Sequence, residues 1–140
     1  MKKKNNIVID TNVIVSALRS NTGASFILLS LIDSGKFKIN ISVPLILEYE
    51  SNAKKRTQLD TVVIDDIIDY ICQVGSERKT FYLWRPFLRD PKDDFILELA
   101  VESQSQYIIT YNKKDFKGCH QFGITVLDPK EYLTKIGELQ

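Results

Sequence analysis

The chain has 140 residues, 44% of them apolar and 26% charged, with a formal net charge of +1. These values suit one soluble domain with its own core and exclude a whole-molecule field that would gather polyanions, so a nucleic-acid partner would have to be held by local patches. No apolar run approaches the length of a membrane span, and Cys72 and Cys119 lack CxxC or metal-ligand spacing, so they read as free thiols of a reducing cytoplasm.

Lys2, Lys3 and Lys4 ahead of an apolar run resemble the start of a secretory signal. Asp10 and Asn12 interrupt that run, however, and no small-residue cleavage site follows. Ile7, Val8 and Ile9 predict a short strand buried on both faces. Asp10 then stands at the strand's end, where an open α/β sheet binds its ligands. The same Asp10-Thr11-Asn12 also suits a helix cap.

A turn at Ser20-Asn21-Thr22-Gly23 precedes an apolar helix from Ala24 to Ile32, stopped by Asp33-Ser34-Gly35. Phe37 to Ile41 alternates as a second strand. Ser42 offers an N-cap and Pro44 a first-turn residue for a helix from Leu45 to Arg56, with Leu45, Ile46 and Tyr49 on one side and Glu48 and Glu50 flanking. Thr61 to Val74 predicts another helix. Its core stripe is Val63, Ile64, Ile67, Ile68 and Ile71, and Asp65, Asp66 and Asp69 lie in solvent opposite.

Thr80 to Leu83 reads as a minor strand or extended connector, and Trp84 opens a loop ending at Asp94. Phe95 to Glu102 predicts a helix with Phe95, Ile96, Leu99 and Ala100 inside. Tyr107 to Thr110 is a further strand, followed by a polar turn through Phe116. His120, the only histidine, reads as a loop side chain rather than a base. Ile124 to Leu127 makes the last strand and Pro129 to Ile136 the closing helix. Strands alternating with helices predict one α/β domain over residues 1–140, a three-layer α/β/α sandwich around a mostly parallel sheet.

The informative feature is where acids fall on that plan. Asp10 follows the first strand, Glu48 lies in the helix after the second, Asp94 begins the helix before the fourth, and Asn112 and Asp115 follow the fourth. All fall at one edge of a parallel sheet. Taken singly each has an ordinary role: Glu48 as a surface helix residue, Asp90, Asp93 and Asp94 as first-turn charges favoured by the helix dipole, Asn112 and Asp115 as turn formers. Together, three converging carboxylates repel one another by several kcal/mol, on the order expected in a poorly solvated cleft, unless a cation intervenes. Oxygen ligands without His or Cys favour Mg²⁺ or Mn²⁺ over zinc. An acid-only cleft with such an ion suits phosphodiester hydrolysis.

The segments Ile9-Asp10-Thr11-Asn12-Val13, Leu47-Glu48-Tyr49, Asp94 to Ala100 and Thr110 to Phe116 resemble PIN-domain nucleases over about residues 7 to 128. The nearest flavour is the single-domain, VapC-like type of toxin–antitoxin pairs. The resemblance implies a sheet order of 3-2-1-4-5 and a Mg²⁺- or Mn²⁺-dependent endoribonuclease. Carried over by position, Asp10, Glu48 and Asp94 match the family's metal-binding acids, with Thr11 or Asn12 and Thr110 orienting Asp10 and a water. Many members carry Asp where this chain has Asn112. Asp115 substitutes, or a second ion binds weakly, and the number of ions stays open; Asp93 competes with Asp94.

RNA contacts are expected from Arg19, Lys54, Lys55, Arg56, Arg85, Arg89, Lys113, Lys114 and Lys117, with Tyr111 and Trp84 able to stack on bases. An RNA substrate, a cognate antitoxin burying the cleft and a homodimer are the partners the resemblance implies. A catalytically impaired PIN-fold module binding RNA or protein is the alternative. A small Mg²⁺ phosphatase of similar architecture needs a second aspartate where this chain has Asn12.

Overall fold

A computed structural model describes residues 5–78, 88 and 91–139. Its elements are β1 (Asn5–Ile9), α1 (Thr11–Arg19), α2 (Ala24–Ser30), β2 (Phe37–Ile41), α3 (Val43–Arg56), α4 (Thr61–Val74), β3 (Ser76–Glu77), α5 (Pro91–Glu102), β4 (Tyr107–Ile109), β5 (Thr125–Leu127) and α6 (Pro129–Lys135). Two 3-10 turns, Lys113–Phe116 and Cys119–Phe122, link β4 to β5.

The five strands form one sheet in the order β3-β2-β1-β4-β5, as expected, and every described pairing is parallel. β1 is central: Ile7 faces Ile39 of β2 on one side and Tyr107 of β4 on the other. Ile7, Val8, Ile108 and Ile109 are fully buried, which is why these strands read as unbroken apolar runs. The helices complete a three-layer α/β/α arrangement. α1 packs on α2 and α3, α3 on α4, and α2 on α6, while α5 lies against β1, β2 and β4.

Local chemistry sets the helix ends. The Ser42 side chain accepts from the Leu45 N–H, and Pro44 enters the first turn without an orphaned donor. Asp128 and Glu131 form a reciprocal capping box ahead of α6. α4 runs from Thr61 to Val74, as its pattern predicts, with Ile64, Ile68 and Ile71 buried, but Val63 is 43% exposed. After α4 the chain turns at Gly75, where a Cβ would sit 2.9 Å from the Ile71 carbonyl oxygen and 3.0 Å from the Ile41 side chain.

Two expectations change. The third strand is the polar pair Ser76–Glu77, paired with Asn40 and Ile41; the stretch Thr80–Leu83 lies outside the described residues. α5 starts at Pro91 rather than Phe95, because proline suits the first helical position and Asp93 and Asp94 complement the helix dipole there. Leu97 and Glu98 are buried beside Ile96, Leu99 and Ala100, while Phe95 is half-buried. Among the described residues no single helix is long and apolar enough to cross a membrane. Cys72 is exposed; Cys119 is buried, and burial reinforced by the Asp94 charge pushes its thiol up to about 11.

Candidate active site

A cleft of about 270 Å³ opens at the carboxyl end of the central strands. Asp10 forms its floor at the end of β1, tied to β4 by its own N–H, which donates to the Ile109 carbonyl at 2.9 Å. Only 8% exposed, the carboxylate accepts from the Thr11 N–H at 2.8 Å through Oδ1 and from the Thr110 hydroxyl at 2.7 Å through Oδ2. It therefore caps α1, as its surroundings predict, while leaving oxygen lone pairs for the cleft. Burial raises its pKa above the ordinary carboxylate value, and the Asp115 and Glu48 charges add to this. The Thr110 and Thr11 hydrogen bonds offset only part of the rise.

Thr110 is fully buried and works as a hub. While donating to Asp10, its oxygen accepts from the Asn112 N–H at 3.0 Å and the Asn12 side-chain amide at 3.4 Å. Asn12 in turn accepts from the Tyr111 N–H at 3.3 Å, joining the start of α1 to the turn after β4. Beneath them, the buried Tyr49 hydroxyl donates to the Ile9 carbonyl, one peptide before Asp10.

The walls come from three other elements. α3 presents Pro44, Leu45, Glu48, Asn52 and Arg56; α5 presents Asp93, Phe95 and Ile96; the turn after β4 presents Asn112 and Asp115. Glu48 is held by Asn52, whose amide donates to its carboxylate at 2.7 Å. That partner went unrecognised in the sequence, although an (i, i+4) Glu–Asn pair on a helix signals it.

Of the acids singled out above, Asp10, Glu48 and Asp115 line the cleft and Asp94 does not; Asp93 takes that place. The reason is helical phase, since adjacent side chains diverge by about 100°. Asp94 turns inward, 5% exposed, accepting from the Leu88 N–H at 2.9 Å. One turn on, burial, reinforced by the Asp94 charge, raises the pKa of Glu98.

The expected basic residues separate as well. Lys113 is paired with Glu131 at 2.7 Å, and Lys54 with Glu50 at 2.9 Å and Asp65 at 3.4 Å. Lys114 and Lys117 are exposed and do not line the cleft, and Tyr111 is 46% exposed. Arg19 lines a neighbouring depression. Arg85, Arg89, Trp84 and Asp90 lie outside the described residues.

The donors around the cleft suit a hard cation. Four carboxylates and three amides line it with no histidine or cysteine, and the Asp10 charge is opposed by two other acids. As they stand, with Glu48 turned to Asn52, no group of three among the described residues is drawn together tightly enough to hold an ion.

Among curated proteins none matches the chain. Among solved structures, it is similar to a chain of VapBC2 from Rickettsia felis bound to a DNA fragment from their promoter. The TM-score is 0.61 and the identity 17%, covering 88% of this chain and 97% of the other, a likeness of fold. Residues 6–114, which carry Asp10, Glu48, Asp93, Thr110 and Asn112, match the PIN domain, and the chain belongs to that family of nucleases.

Proposed function

We propose that this chain is a metal-dependent endoribonuclease, the toxin of a toxin–antitoxin pair. The observation that carries the reading is Asp10: a buried carboxylate, opposed by Glu48 and Asp115, at the floor of a cleft lined by oxygen and amide ligands alone. PIN-domain nucleases generally use divalent metal ions. Mg²⁺ or Mn²⁺ would be held by Asp10, Glu48 and Asp115, with Asp93 in the place first read for Asp94. When bound, such an ion activates water and neutralises charge on a phosphodiester.

The chain's own residues do the positioning. Thr110 and the Thr11 N–H fix both Asp10 oxygens in one orientation. Asn12 and Thr110 tie that carboxylate to the turn bearing Asn112 and Asp115. Glu48 waits on Asn52, a neutral partner that leaves its charge uncancelled. The antitoxin partner rests on the likeness to VapBC2, and a second copy of the chain on the family resemblance alone.

Asn112 and the parted acids favour a second reading, a PIN-fold module that binds RNA without cutting it. Incubating purified protein with end-labelled single-stranded RNA and Mn²⁺ separates the two. The nuclease reading expects cleavage that EDTA and Asp10→Asn both abolish. Intact RNA that is nevertheless bound establishes the second reading.

A further inference from the structure

Two further depressions share lining residues with the acidic cleft, and one side chain is common to all three. Arg56, in the last turn of α3, lines the acid cleft, a depression of about 490 Å³ beside α1, and another of about 440 Å³ along α3. It is the only cation among the described residues lining the acid cleft. The depression beside α1 is walled by Asn12, Val15, Ser16, Arg19, Ser20 and Arg56, so it shares Asn12 as well as Arg56 with the acid cleft.

Arg19 ends α1 and Arg56 ends α3, and these two helices pack together, so that both arginines line one depression. Among the described residues Lys36, Lys54 and Lys113 are neutralised by Glu138, Glu50 with Asp65, and Glu131, while Lys38, Lys55 and Lys114 are exposed without an ion pair and line neither the acid cleft nor the depression beside α1. Neither Arg19 nor Arg56 has such a partner among the described residues. Helix-dipole stabilisation explains a basic last turn, but it does not require either arginine to line a depression shared with the acid cleft.

The geometry points to Arg56 and Arg19 as a two-pronged clamp for a backbone phosphate of single-stranded RNA, one flanking the phosphate that lies over the acids. The inference rests on the nuclease reading for the placement of the reacting phosphate, though not for the binding itself. Guanidinium forks take phosphate oxygens two at a time, and a flanking phosphate gripped this way aligns the chain across Asp10 without adding positive charge to its floor. Substrate is thus drawn over a cleft that is itself acid-rich and would repel an unclamped polyanion.

The test measures binding apart from cutting. Fluorescence anisotropy of a labelled 20-mer single-stranded RNA in EDTA gives Kd across a salt series for wild type, Arg56→Gln, Arg19→Gln and Lys130→Gln, the last an exposed lysine of α6 that lines neither the acid cleft nor either depression. Each arginine variant should weaken binding about threefold to tenfold near 0.1 M salt and flatten the log Kd against log salt slope by about 0.7 per lost phosphate contact. Arg56→Lys should recover part of the affinity and most of the slope, since charge remains while the fork is lost. With Mn²⁺ present, Arg56→Gln should raise KM for RNA, leave kcat near wild type, and leave Mn²⁺ affinity in titration calorimetry equal or slightly tighter.

RNA binding by both arginine variants that matches wild type overturns the clamp. So does an equal loss in Lys130→Gln, or wild type that fails to bind. Wild type that binds with these slopes yet never cuts overturns the nuclease reading and leaves the clamp in place.

Discussion

Asp10→Asn tests the electrostatics of the site apart from any substrate. The substitution keeps size and shape, and asparagine is an equally good helix cap. Its amide oxygen can keep the Thr11 N–H, whereas its nitrogen faces a Thr110 oxygen that already accepts from Asn112 and Asn12, so one hydrogen bond is lost against the charge that is relieved. What disappears is a buried negative charge whose pKa lies above the ordinary 3.8, burial and two neighbouring acids outweighing two hydrogen bonds. The folded chain therefore prefers the protonated form more than the unfolded chain does, and the ionised carboxylate opposes folding at neutral pH. As pH falls through the raised folded value towards 3.8, the folded state takes up the proton first and the penalty disappears.

Asp10→Asn should thus be more stable than wild type at pH 7.5 in EDTA, by roughly 0.5–2 kcal/mol, as for other relieved functional sites. In a domain of this size that is a melting point roughly 2–7 °C higher. The gap should narrow by pH 4. Saturating Mn²⁺ should reverse the order, since an ion at about 100 times its Kd adds about 2.7 kcal/mol to the wild type alone. Circular dichroism melts of both proteins in these three conditions read all of this. A variant melting below wild type at pH 7.5, or a gap unchanged at pH 4, refutes the electrostatic account; failure of Mn²⁺ to stabilise wild type refutes the ion.

Asp93→Asn should weaken Mn²⁺ binding in titration calorimetry by on the order of tenfold, through the loss of one anionic ligand. Asp94→Asn should leave that affinity unchanged, because this carboxylate is turned to the Leu88 N–H and does not line the cleft. Thr110→Val should cost about 1–3 kcal/mol in urea unfolding, since Asp10 and the Asn112 N–H both lose a buried partner. It should also push the Asp10 pKa further up, so its destabilisation should shrink in acid. Gly75→Ala, although its φ of −72° suits any residue, should cost about 1–3 kcal/mol by forcing a methyl against the Ile71 carbonyl.

The sheet order was legible in the sequence through the family resemblance, while periodicity itself marked α4 and the buried strands. β3 escaped because Ser76–Glu77 carries no alternation; its pairing depends on Gly75 letting the chain turn tightly beside Ile41. The edge of the sheet where the acids gather followed from topology, but the choice between Asp93 and Asp94 did not. Two neighbours in a first turn differ only in rotation, and Pro91 sets that phase from a position the apolar pattern did not reach. Lys113 looked like a free cation because its partner, Glu131, lies 18 positions later and meets it only through the capping box of α6. The (i, i+4) spacing of Asn52 from Glu48 was visible throughout, yet has meaning only once Glu48 faces a cleft.

α3 carries both Glu48 and Arg56 on one continuous rod. Eight residues at about 1.5 Å each set them about 12 Å apart along its axis, so on the proposed reading the helix would act as a ruler between the point of cutting and the point of grip. A single residue inserted between them would turn Arg56 about 100° away from the acids, uncoupling grip from scission while leaving each intact.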